Sequence, residues 1–127
     1  MPRRLAVVNA GRPRVLRGGY SGRMTNDDIT LADNAAEHRF ELRTGTTLAA
    51  RAEYNLLKDA VMFTHTEVDP QFEGRGFGSK LAKFALDDVR RRGLHVIPVC
   101  QFIAGYLRKH PEYLDLVTEE TRRAFKV

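Results

Sequence analysis

The hydrophobic positions of this 127-residue chain change period along its length, and the changes mark its elements. Residues 37–44, EHRFELRT, alternate polar and apolar, with Phe40 and Leu42 on one side. A period of two predicts a half-buried strand. Gly45 marks a turn. Residues 46–57 predict a second strand, with Leu48, Ala50, Ala52, Tyr54 and Leu56 on one face. Lys58 and Asp59 form a short turn before a third strand, AVMFTHTEV, at residues 60–68. Tight turns between successive strands predict an antiparallel meander. Residues 25–28 read as a turn, and little room for further elements remains between Met24 and Glu37.

From Arg75 the period becomes helical. Leu81, Ala82, Ala85, Leu86 and Val89 share one face, and Lys80, Lys83, Asp87, Arg90 and Arg91 take the other. Gly93 follows basic residues, where a C-terminal cap belongs. Residues 94–100, LHVIPVC, predict a short buried strand. Strand, loop, helix and strand make a βαβ unit, whose two strands run parallel. Residues 101–110 predict another helix, ended by Pro111, and short helical turns complete the chain. The expected class is α+β: a mixed, mainly antiparallel sheet with a central amphipathic helix.

Composition changes this picture in two places. Cys100 is the only cysteine, so no disulfide forms within one chain, and a reducing, cytoplasmic setting fits best. The net charge of +5 is unevenly placed. Residues 1–24 carry six Arg and no acid, whereas the rest carries 15 bases against 16 acids. A basic leader (1–24) thus precedes a near-neutral domain (25–127). This argues against a nucleic-acid-binding domain, which needs a basic face on the fold itself. For the leader, a flexible tail, sequence upstream of a later start at Met24, and an Arg-rich transit peptide are all open. No apolar stretch has the length of a bilayer span, so no membrane partner is expected.

The candidate chemistry lies between the third strand and the first helix, in EGRGFGSK. Gly74, Gly76 and Gly78 alternate there, with Arg75, Lys80 and Lys83 nearby. Such a loop either makes a tight turn or lets backbone amides at a helix start approach an anion. The strand before it, the helix after it and the basic residues favour the anion. A Walker A loop is excluded by spacing. A dinucleotide fingerprint is disfavoured, because the glycines are G-x-G-x-G and no acid lies between Gly93 and Pro111.

The stretch VDPQFEGRGFGSKL resembles the acetyl-CoA-binding motif of the GNAT N-acetyltransferase superfamily, Gln/Arg-x-x-Gly-x-Gly/Ala. Gly76 and Gly78 match its two small positions, and Glu73 stands where Gln or Arg is usual. With VIPVCQFIAGYLRKHPEYLDLV, the chain resembles more narrowly the small YjdJ-type GNAT-like subfamily. The resemblance covers roughly residues 38–117. It implies a GNAT-like fold in which the strands flanking the first helix splay apart to admit the pantetheine arm. Pro98, lacking an N–H, suits such a splay. It also implies acetyl-CoA as donor, held by Val68 and by Arg75, Gly76, Phe77, Gly78 and Ser79, with Lys80 adding charge, and no metal.

Acetyl transfer to an amine needs a base, an oxyanion stabiliser and a proton for the leaving thiolate. His65, on one strand face with Glu67, is a candidate base; the alternative is a structural imidazole. Tyr106 matches by spacing the tyrosine that protonates the CoA sulfur in many GNAT enzymes, although core packing explains it equally. Cys100, at a strand end and helix start, is a candidate nucleophile beside a bound thioester, or a small buried hydrophobe. The expected function is an acetyl-CoA-dependent N-acyltransferase acting on an unidentified amine or protein acceptor. The alternative is a non-catalytic acetyl-CoA-binding module or sensor.

Overall fold

The computed structural model describes residues 28–127. The basic leader, and all but the last residue of the turn read at 25–28, lie outside them. Four strands form an antiparallel meander: β1 (Ile29–Asn34), β2 (Arg39–Thr44), β3 (Thr47–Leu56) and β4 (Ala60–Val68). Helix α1 (Phe77–Arg91) then crosses the sheet, and β5 (His95–Pro98) joins β4 in parallel. Helices α2 (Gln101–Lys109) and α3 (Glu119–Phe125) follow, separated by a 3-10 turn at Pro111–Leu116. The sheet order is β1-β2-β3-β4-β5, a mixed sheet in an α+β fold with one parallel pair, as expected. Among the described residues no helix is long and apolar enough to cross a membrane.

Strand β1 corrects the reading that residues 24–37 hold little structure. Ile29 and Leu31 alternate into the core at 3% exposure each. The Asn34 side chain then accepts from the Glu37 amide, and His38 turns the chain in a left-handed conformation. That turn also moves the start of β2 from residue 37 to Arg39. Two bulges correct the strand faces. Register shifts beside Leu42, and Ala49 and Ala50 are both buried in succession. Downstream, Ala50, Ala52 and Tyr54 face inward as expected, but Leu48 is only half-buried and Leu56 is 55% exposed at the hairpin tip. The second bulge sits at Thr64: Glu53 pairs with His65, and Tyr54 with Phe63.

Helix α1 buries Phe77, Leu81, Ala82, Ala85, Leu86 and Val89 against the sheet, where Phe40, Tyr54, Phe63 and Phe84 form an aromatic cluster. Burying such side chains is the main stabilising term, at roughly 1.5–3 kcal/mol each. Gly93 ends the helix as predicted. At φ +70° its N–H bonds Arg90 O, and the Leu94 N–H reaches back to Val89 O at 3.1 Å. The opposite sheet face is polar. Arg39 and Arg43 hold Glu41, and Arg51 holds Glu53 and Glu67. At the far end of α1, Asp33 accepts from Tyr54 Oη at 2.6 Å and from Arg92 at 2.8 Å.

Candidate functional site

The site forms where β4 and β5 part. Their ladder ends at the pairing of Phe63 with Pro98. Pro98 has no N–H to continue it, and the Cys100 amide makes the last bond, to Phe63 O at 2.8 Å. Beyond this point the chain at residue 99 turns off into α2. The last five residues of β4, 64–68, run on with no strand beside them on that side among the described residues. The Thr64 bulge sets which of them face the helices. Thr66 pairs with Ala52 and Val68 with Ala50, both alanines lying in the core, so Thr66 and Val68 point to the helix side.

After β4, Asp69 accepts from the Gln71 amide and starts a 3-10 turn at Pro70–Phe72. Gly74 (φ +87°) and Gly76 (φ +75°) then carry the chain into α1 through left-handed conformations. Gly76 is the N-cap. It offers no side chain to the helix, and the first turn contains no acid. The amides of Phe77, Gly78 and Ser79 are therefore the orphan donors of the helix start, without a capping oxygen. They open onto a cleft of about 380 Å³ lined by Thr66, Val68, Phe72, Gly76, Gly78 and Phe102, among others. The first turns of α1 and α2 meet there, at Gly78 and Phe102. The donor set fits a phosphate group, since uncapped amides at a helix start bind one without any side chain. Glu73 is the carboxylate in the lining and works against it.

A model of the GCN5-related N-acetyl-transferase family matches residues 39–116. The chain belongs to this family. NATD1 of Xenopus tropicalis is 38% identical over 60 residues, covering 46% of this chain and 55% of that protein. Human NATD1 is likewise 38% identical over 60 residues, covering 46% and 53%. The chain spans about half the length of the curated relatives it matches. A GCN5-like protein of Staphylococcus aureus, solved by NMR in solution, superposes with a TM-score of 0.55 at 26% identity, over 75% of this chain and 91% of its own. The GCN5-related family uses acetyl-CoA as a rule.

Within this N-acetyltransferase fold, the residues expected to hold the donor fall together. Val68, Gly76, Phe77, Gly78 and Ser79 all line the cleft. Arg75 lies beside it, its guanidinium 5.3 Å from the centre of the Phe72 ring. Lys80 is exposed one residue further along α1.

The three candidate catalytic residues do not fall together. Cys100 is 6% exposed and sits behind the cleft wall, its Sγ donating to Thr66 Oγ1 at 3.2 Å. His65 faces the polar side of the sheet, 3.1 Å from Glu67. There its contact, with Arg51, holds the Glu67 carboxyl below its usual range. Tyr106 is buried about one turn down α2 from Phe102, stacked on His110 at 4.0 Å. Burial pushes the Tyr106 hydroxyl above its ordinary pKa, so it stays protonated at neutral pH. Sequence reasoning missed Thr66, Phe72 and Phe102 as lining residues. A bulge resets the facing of Thr66, and neither ring carries a local signal for its place in the cleft.

Proposed function

We propose that the chain is an acetyl-CoA-dependent N-acyltransferase whose cleft holds the donor's pyrophosphate on the amides of Phe77, Gly78 and Ser79. The observation that carries this reading is the uncapped, acid-free start of α1 opening onto the gap where β4 loses its partner strand. The gap gives the pantetheine arm a path past Thr66 and Val68, and unpaired β4 backbone for hydrogen bonds. Acetyl-CoA supplies the activated acetyl thioester. Toward it, the chain offers the Tyr106 hydroxyl as a proton donor after a side-chain rearrangement, and the Cys100 thiol as an acceptor. For Cys100 to act, its bond to Thr66 Oγ1 must open so that sulfur reaches the cleft. The acetyl–sulfur bond to CoA then breaks, a bond to Cys100 Sγ forms, and the cysteine proton leaves with the CoA thiol. An amine acceptor removes the acetyl group in a second step. His65 lies across the sheet, and as a base it serves an acceptor arriving from that face.

A second reading, a non-catalytic acetyl-CoA-binding module, is favoured by the scatter of Cys100, His65 and Tyr106, none of which lines the cleft. Calorimetric titration with CoA tests the binding common to both readings, and absence of binding rejects both. Intact-protein mass spectrometry after mixing with acetyl-CoA, alongside an amine panel, separates them. An acetyl adduct lost in Cys100→Ala establishes the nucleophile. Turnover of amines without an adduct establishes direct transfer, and binding with neither leaves the module.

A further inference from the structure

The meeting of α1 with α2 gives the missing side chain of Gly78 a purpose beside the phosphate contact proposed for its amide. Gly78 has ordinary helical backbone, unlike Gly74 and Gly76. A methyl group at this position would fall 2.9 Å from Cζ of Phe102 and 3.4 Å from the nearer Cε, closer than carbon atoms pack without displacement. The Phe102 ring therefore stands on the bare backbone of Gly78. It is a large aromatic at 40% exposure, and it lines the same cleft as Thr66 and Val68.

We propose that Phe102 is a specificity-determining residue of this cleft, with Gly78 as its seat: the ring walls the path of the pantetheine arm. This rests on the CoA reading above and adds which half of the ligand the pair recognises. An aromatic ring offers no hydrogen bond to a phosphate, which the helix amides already serve. It does offer a flat apolar surface to an alkyl-amide chain. Filling the seat must push the ring away from α1. Inward there is no room, because Phe77, Leu81 and Ile103 are each at 2% exposure or less. The ring can then go only into the cleft, where it blocks the arm's path, or out to solvent, where it no longer walls it. The glycine matters to the arm through Phe102, while the phosphates bind much as before.

The test is calorimetry on the full chain with two ligands, CoA and its arm-less nucleotide half, 3′-phosphorylated ADP. The proteins are wild type, Gly78→Ala, Phe102→Ala, Phe102→Leu and the Gly78→Ala/Phe102→Ala double variant, with melting curves to confirm folding. We expect Gly78→Ala and Phe102→Ala each to weaken CoA about tenfold, and to change the nucleotide by less than about twofold. Phe102→Leu, which keeps an apolar wall, falls between wild type and Phe102→Ala. In the Phe102→Ala background, Gly78→Ala has no further effect, since the atom it strikes is gone. Equal weakening of both ligands by Gly78→Ala, persisting in that background, overturns the inference and returns the glycine to the phosphate. Binding of CoA by every variant as by wild type also overturns it, leaving the CoA reading intact. Failure of wild type to bind either ligand overturns the CoA reading itself, and this proposal with it.

Discussion

At the scale of single residues, the cleft lining holds one group at odds with the proposed anion site. The family motif puts Gln or Arg where this chain has Glu73, and Glu73 lines the cleft beside the helix start. A carboxylate near a bound pyrophosphate repels it, although exposure to water weakens the effect. Glu73→Gln removes the charge and keeps the shape. It is expected to tighten CoA about threefold at low salt, with the gain shrinking as salt rises. Calorimetry at two ionic strengths measures this. Unchanged affinity at low salt means that the carboxylate points away from the ligand. The same residue scale explains why the residues that line the cleft were legible in the sequence and the scatter of the candidate catalytic ones was not. Backbone amides bind phosphate whatever the side chain, so a glycine pattern before a helix locates them. Cys100, His65 and Tyr106 stand out in the sequence by chemical type and spacing alone. Whether such groups meet depends on which way each one points, and that is settled by packing partners such as Thr66 and His110.

At the scale of elements, sequence patterns located the strands that have long periodic faces and missed the one that does not. β1 places only Ile29 and Leu31 in the core, and its polar end, Asp33 and Asn34, carries no apolar period. Its strand character comes from pairing with β2, which no local pattern encodes. The bulges were invisible for the same reason: each is a property of two strands in register. By contrast, the end of α1 was legible because its stop signal is local. Gly93, at φ +70°, turns the chain so that its own N–H and that of Leu94 both reach back to the last turn of the helix. An alanine there must adopt the left-handed conformation, at a cost of roughly 1 kcal/mol. Gly93→Ala should lower the unfolding free energy by that amount, read as a lower urea midpoint at unchanged slope, and leave CoA affinity untouched, since the cleft lies at the other end of α1. A loss of CoA affinity would show that the two ends of the helix are coupled.

At the scale of the whole molecule, the cleft and the Asp33–Arg92 pair sit at opposite ends of α1, a 15-residue helix that spans about 22 Å, and Glu41 lies on the far face of the sheet. Stability and binding should therefore respond differently to acid. Two carboxylates, Glu41 and Asp33, are shifted by the fold in opposite directions. Burial pushes Glu41 upward, but hydrogen bonds from Asn34, Arg39 and Arg43 outweigh it and hold its pKa below the ordinary 4.5. A depressed acid stabilises the fold above its unfolded pKa, and that contribution is lost as pH falls through the lower folded value. Asp33 is raised above its ordinary 3.8, because burial outweighs its bonds to Tyr54 and Arg92. Its ionised form is the less favoured one in the fold, so protonation there adds stability as pH falls through its folded pKa. Asp33 thus opposes the loss from Glu41. Glu41→Gln should cost about 1–3 kcal/mol at pH 7, because Arg39 and Arg43 lose a charged partner, and should flatten the fall in stability below pH 4.5. Asp33→Asn removes the opposing gain and should steepen that fall. Urea unfolding at neutral pH and at several points below pH 4.5 measures both slopes. Parallel slopes in wild type and both variants would place the acid response elsewhere, in exposed pairs such as Arg90 with Asp115.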